Sequence, residues 1–274
     1  MTRIAICAPA TPITREDAAR VEALAKAEFP GLALEFHEQC FAVAGHFAGT
    51  DAERLGALLD CARSGADAVW FAKGGYGSNR IVSQVVEALS GRKAEQQWFG
   101  YSDGGYLLAA AHRHGFARAV HGPMPLDMRR EGGEAAIRRA LGWFSGSRDG
   151  LEPELDGRPA VAFNLITLAM LCGTRFLPDL TGYVVMVEEV AEHLYAIDRL
   201  FFHVTEHLRG IAGLRLGRLS AVPENDRPFG IEPEAIARDW CERAGIPYLG
   251  RADIGHDAAN KIVPFGLAAD FARS

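Results

Sequence analysis

Ala66-Asp67-Ala68-Val69-Trp70-Phe71-Ala72-Lys73-Gly74-Gly75-Tyr76-Gly77 runs a short apolar segment into a glycine-rich turn. A bounded apolar run of this length reads as a strand buried on both faces, the kind found inside a parallel sheet. The chain on either side repeats the pattern. Residues 2–8 read as a strand and 17–28 as a helix, and Thr50 and Asp51 cap a helix carrying Leu55, Leu58, Leu59 and Ala62 on one face. Beyond Gly77, residues 81–89 read as a helix, 98–101 as a strand and 105–114 as a helix. Alternation of this kind predicts an α/β fold with helices on both faces of a parallel sheet.

The alternation breaks between Gly142 and Pro159, where Gly146, Ser147, Arg148, Asp149, Gly150, Pro153 and Gly157 cluster as in a linker. Beyond it, residues 164–172 read as a helix and 183–188 as a strand. Residues 195–208 form an amphipathic helix with Ile197, Leu200, Phe201, Val204 and Leu208 on one stripe. A helix over 232–244 and short strands at 247–250 and 261–263 complete the pattern. The expected division is 1–145, a linker at 146–158, and 159–274. A length of 274 residues accommodates two such units.

Lys and Arg total 29 against 35 for Asp and Glu, a net charge of −6 with no basic run. Nucleic acid and anionic membrane are therefore poor partners, since counterion release needs clustered cations. No segment has the ~18 unbroken apolar residues of a membrane helix, and the apolar stretch ended by Pro9 reads as a first strand rather than a secretory leader. The five cysteines, Cys7, Cys40, Cys61, Cys172 and Cys241, are scattered without CxxC spacing. They read as reduced structural thiols in a cytoplasmic protein.

Gly100-Tyr101-Ser102-Asp103-Gly104 matches G-x-S-x-G where a strand turns into a helix, the context that lifts a serine hydroxyl clear of a sheet edge. Helix capping by Ser102 is the competing reading. Lys73-Gly74-Gly75-Tyr76-Gly77 ends the preceding strand, so both turns fall at the carboxyl edge of one sheet, where ligands gather. Glycines there let backbone N–H groups approach a reacting carbonyl. A serine needs a base, and nine histidines compete. His203 and His207 stand at i, i+4, a spacing that suits zinc, but HExxH register is absent and a partly exposed helix face is the preferred reading. His121 opens a turn after a strand. His256 lies in the polar loop Asp253-Ile254-Gly255-His256, as a catalytic histidine should. Glu188 and Glu189 end a buried strand; one could orient an imidazole, or both could begin a solvated loop.

Taken in order, these blocks resemble the LD-carboxypeptidase family of serine peptidases, which includes the microcin-immunity peptidases. The resemblance rests on Gly74-Gly75-Tyr76-Gly77, Gly100-Tyr101-Ser102-Asp103, His121-Gly122-Pro123-Met124, Asn164-Leu165, Gly173-Thr174, Glu188 to Glu192, Tyr195 to Arg199, and Gly255-His256 with Asn260 and Pro264. It implies an amino-terminal α/β domain and a carboxy-terminal β-rich α/β domain with the site in the cleft between them. It implies Ser102 as nucleophile with Glu188 and His256 as its partners; the amides of Gly75 and Asp103 are the expected oxyanion hole, and Lys73, Gly74, Tyr76 and Asn164 the expected substrate contacts. Neither metal nor cofactor is needed, and homodimerisation is a family-level expectation. The implied reaction is removal of terminal D-alanine from murein tetrapeptide in cell-wall recycling. Hydrolysis of a peptidyl-nucleotide antibiotic and non-catalytic peptide binding in the cleft are the alternatives. The chain departs from the family pattern at Lys73, Gly104, Gly105, Ala162, Phe163, Glu189 and Ala196. Lysine in place of arginine at 73 removes a bidentate fork, which bears on recognition of a terminal carboxylate.

Overall fold

The structure, a computed structural model, describes residues 1–93 and 95–271, so the last three positions of the expected 159–274 unit lie outside the described residues. Strands β1 (Thr2–Cys7), β2 (Leu32–Phe36), β3 (Ala68–Phe71), β4 (Gln97–Gly100) and β5 (Arg118–His121) form a parallel array in the order β5-β4-β3-β1-β2. All four residues of β3 are buried, because it lies in the middle of the sheet. Helices α1 (Arg15–Glu28), α2 (Asp51–Arg63), α3 (Ser78–Leu89), α4 (Gly105–His114) and α5 (Gly133–Phe144) accompany the strands.

Local chemistry sets the helix starts. Thr14 and Asp17 form a reciprocal capping box, which begins α1 two residues before the 17–28 expected from apolar spacing. Thr50 and Glu53 form a second box at α2, where the sequence placed the cap. The apolar pattern does not single out β2. It is an edge strand with only Leu32 buried, so its side chains carry little of the alternation that marks a strand.

A second sheet, β6-β7-β8-β9, is parallel throughout and comprises β6 (Ala160–Asn164), β7 (Val184–Val190), β8 (Gly213–Ser220) and β9 (Tyr248–Arg251). Helices α6 (Leu165–Leu171), α7 (Leu194–His207) and α8 (Pro233–Ala244) belong to it. One apolar core runs through both parts, from Val85, Leu107 and Leu108 to Val161, Val187 and Leu216. The final strand, β10 (Val263–Pro264), crosses back and pairs antiparallel with β5, making the first sheet six-stranded and mixed. Pro264 is tolerated because this is an edge. Ala160 also bridges to Gly266, so the same segment is stitched to both sheets. That return path carries the 253–260 loop to the carboxyl edge of the first sheet.

Candidate active site

Ser102 follows β4 in a single turn of 3-10 helix, Ser102–Gly104, that leads directly into α4. Its φ is +57°, a left-handed conformation that costs free energy in a non-glycine residue and persists only when surroundings enforce it. The neighbouring Gly74–Gly75 loop does so. Gly75 has φ +104°, Thr11 Oγ1 donates to Gly74 O at 2.6 Å, and an added Cβ on Gly74 would stand 3.0 Å from Ser102 Cβ. The competing reading of Ser102 as a helix cap does not hold, since Tyr101 occupies the cap position of this turn without a side-chain cap bond.

His256 Nε2 lies 3.0 Å from Ser102 Oγ, and its Nδ1 lies 2.5 Å from Glu188 Oε2. Three groups from β7, the β4–α4 turn and the 253–260 loop thus form one hydrogen-bonded chain. The imidazole is largely buried and packs on the Tyr101 ring at 4.9 Å between centroids. Burial alone would depress its pKa, but the charge and hydrogen bond of Glu188 outweigh it and the net shift is upward. Asn260 holds the loop from behind: its Oδ1 accepts from Gly255 N at 3.1 Å and meets His121 Nε2 at 3.1 Å. Burial pushes the His121 pKa down to about 4, so that ring is a neutral brace at neutral pH.

Both glutamates ending β7 are buried, which overturns the solvated-loop reading. Strand geometry sends them to different tasks. Glu188 meets His256, whereas Glu189 accepts from Asn164 Nδ2 at 2.7 Å, Ile166 N at 2.8 Å and Val190 N at 2.8 Å. Burial raises the Glu189 pKa against those hydrogen bonds. A β-bulge at this point of β7 and β8, together with Gly217, makes room for Glu188. A Cβ added to Gly217 would stand 2.7 Å from Ile254 O and 2.9 Å from Glu188 Cβ. Gly217→Ala is therefore expected to cost about 1–3 kcal/mol of stability and to lower kcat by displacing the Glu188–His256 contact. A denaturant midpoint equal to wild type would contradict this.

The remaining expected residues fall on two sides of Ser102. Gly75, Tyr76, Asp103 and Asn164 line a cavity of about 390 Å³ with Tyr106, Glu189 and Glu192. Lys73 and Gly74 line a second, of about 110 Å³, with Tyr101, Met124, Arg130 and His256. Ser102 and Gly75 belong to both. Asp103 is buried, and its carboxylate accepts from Ser78 N at 2.8 Å and Gly77 N at 3.3 Å, tying the serine turn to the start of α3. Burial raises its pKa while those amides oppose the shift. Asn164 caps α6, its Oδ1 accepting from Thr167 N at 3.3 Å, so both ends of its side chain are engaged. Burial and the charge of Arg129 pull the Lys73 ammonium below its ordinary value.

Arg130 is the site residue that sequence spacing misses. It stands beside Arg129 in the chain, and nothing local separates the two. Arg129 is spent on Asp17, while Arg130 donates to Asp127 at 2.7 Å and to Tyr101 Oη at 3.3 Å and remains 38% exposed toward the smaller cavity.

A serine at a strand–turn–helix elbow, with a histidine and a buried carboxylate in line, is the arrangement of a serine hydrolase. Models of the LD-carboxypeptidase N-terminal and C-terminal domains match residues 4–122 and 159–271, and the chain belongs to the LD-carboxypeptidase family of serine peptidases. The murein tetrapeptide carboxypeptidase of Pseudomonas aeruginosa is 27% identical over 293 residues, covering 97% of this chain and 92% of that protein. The crystal structure of muramoyltetrapeptide carboxypeptidase from Oxalobacter formigenes superposes with a TM-score of 0.78 at 22% identity, over 97% of this chain and 93% of that one. The microcin C7 self-immunity protein MccF superposes at 0.77 with 15% identity, over 97% and 91%. Among the described residues no helix is long and apolar enough to cross a membrane.

Proposed function

We propose that this chain is a carboxypeptidase that hydrolyses an L,D-amide bond and releases terminal D-alanine from murein tetrapeptide, a step of cell-wall recycling. The observation that carries the reading is the placement of Ser102 where a large cavity meets a small cationic one. An exopeptidase that removes one residue needs a confined space for a small leaving amino acid and a cation for its carboxylate. The 110 Å³ cavity beside His256 offers Lys73 and Arg130, and the one carboxylate among its lining residues, Asp127, is occupied by Met124 N, Tyr101 Oη and Arg130 itself. Arg130 thereby supplies the planar fork that Lys73 lacks. The 390 Å³ cavity takes the acyl part of the peptide.

In this mechanism Ser102 Oγ attacks the scissile carbonyl as His256 Nε2 takes its proton. Glu188 fixes the proton on Nδ1 and stabilises the imidazolium, which then protonates the leaving amine. A water activated by the same imidazole releases the acyl group. The N–H groups of Gly75 and Asp103 hold the oxyanion, aided by the positive end of α4.

Mass spectrometry of muropeptides incubated with the protein is expected to show loss of one terminal alanine, absent with Ser102→Ala. Hydrolysis of a peptidyl-adenylate analogue with no effect on muropeptides would replace this reading by the immunity-type one. Arg130→Gln is expected to lower kcat/KM for the peptide acid by roughly 10- to 100-fold, the value of one charge-assisted hydrogen bond. The corresponding peptide amide should be unaffected. Equal losses on acid and amide would remove Arg130 from carboxylate recognition.

A further inference from the structure

We propose that Cys172, His203 and His207 form a binding site for a transition-metal ion of zinc type, joining the end of α6 to the last turns of α7. Their ligand atoms all lie within 4.8 Å of one another. Tetrahedral coordination with Zn–S near 2.3 Å and Zn–N near 2.0–2.1 Å places donors roughly 3.3–3.6 Å apart, so the three donor atoms would draw closer together on binding an ion. Cys172 directly follows α6 and caps its carboxyl end, and the two histidines stand one helical turn apart on α7.

The chemistry of the donors selects the ion. A thiolate with two imidazoles suits zinc and its neighbours and is a poor match for calcium or magnesium, which take oxygen ligands. His207 is already oriented: its Nδ1 lies 2.9 Å from the carbonyl oxygen of His203. Of the two neutral tautomers only the Nδ1–H form can donate to that carbonyl, and it leaves the lone pair on Nε2 for a metal. The His203 and His207 rings lie 4.4 Å apart between centroids, on the side of α7 that meets Cys172. On binding, the Cys172 thiol releases its proton to solvent and the sulfur becomes a ligand; no redox change occurs. Three protein ligands leave the fourth position to water.

The site is separate from Ser102 but touches the wall of its cleft. His203 lines a cavity of about 330 Å³ that shares Ile166, Met170 and Glu192 with the 390 Å³ cavity. An ion here would cross-link the two helices forming that wall. The i, i+4 spacing of the histidines is visible in the sequence. The third ligand is not, because Cys172 is more than thirty positions away and reaches them only through the packing of α6 on α7.

The test is titration of the chelator-treated full-length protein with Co²⁺, followed by competition with Zn²⁺. One equivalent of Co²⁺ is expected to bind with a thiolate-to-cobalt charge-transfer band that Zn²⁺ abolishes, and Zn²⁺ should raise the melting temperature. His207→Ala changes an exposed residue and should fold normally, yet weaken binding by at least about 100-fold, the upper range for losing even an outer partner of a ligand. Cys172→Ser should remove the charge-transfer band. The absence of that band in the wild-type protein, or equal affinity in the wild-type protein and His207→Ala, would overturn the proposal.

Discussion

Replacing Ser102 by alanine is expected to lower kcat for release of a terminal D-amino acid by roughly 10⁴- to 10⁶-fold, the range seen when the nucleophile of a serine triad is removed. The fold should survive the change. Alanine adds no volume against Gly74, and the left-handed backbone of residue 102 is held by its surroundings rather than by the hydroxyl. What is lost is the oxygen that lies 3.0 Å from His256 Nε2. The residual rate would come from the oxyanion donors and from binding. Two measurements separate chemistry from folding: turnover of the D-alanyl peptide, and covalent labelling by a fluorophosphonate, visible as a mass shift in the wild-type protein alone. A Ser102→Ala protein with near-normal turnover would end the serine mechanism, whatever its substrate.

Glu188→Gln should cost about 10⁴-fold in kcat, as the loss of the orienting carboxylate does in a triad of this kind. A glutamine amide facing Nδ1 favours the tautomer with its proton on Nε2, the atom that must accept from Ser102. Glu189 cannot take over, because its oxygens already accept from Asn164, Ile166 and Val190. The same variant makes a prediction of sign. In the proposed mechanism His256 is a base only when neutral, so kcat/KM should fall on the acid side as the ring becomes protonated. Burial depresses the ring's pKa, while the charge and hydrogen bond of Glu188 raise it further, placing the acid limb of the wild-type profile above the ordinary histidine value of 6.5. Without the carboxylate the two largest raising influences vanish, while burial and the charge of Arg130 remain against the weaker charge of Glu189, so the limb should move to lower pH even as the rate collapses. An acid limb that stays in place would mean that Glu188 does not act through His256.

Legibility of the site divides along physical lines. The Ser102 elbow was readable because all its requirements are local: a buried strand, a tight turn and a following helix occupy eighteen consecutive residues, Gln97–His114. The cap at Thr50 was readable for the same reason. His256 stood out only by its polar, glycine-bearing loop. His112, which meets Tyr183 Oη at 3.0 Å, and His121, braced by Asn260, are also positioned rings, and one-dimensional spacing cannot rank them. Glu188 and Glu189 are adjacent and chemically alike. Their roles separate only when β7 sends one side chain to the imidazole and the other to the amino end of α6. Arg129 and Arg130 present the same problem, resolved by Asp17 of α1 capturing one of them.

The sequence by itself determined the strand and helix alternation, the central buried strand at Ala68–Phe71 and the serine turn, since periodicity, capping and glycine placement are short-range constraints. Its ordered motif blocks carried the family as well. Tertiary structure alone decided that the sixth strand of the first sheet comes from the far end of the chain and runs antiparallel. It alone brought together groups 86 and 68 residues apart in sequence as one hydrogen-bonded line. The physical reason is range. A dihedral preference or a cap acts over a few residues, whereas the position of His256 depends on β10 finding β5, and that pairing is fixed by burial and hydrogen bonding between segments that share no local signal.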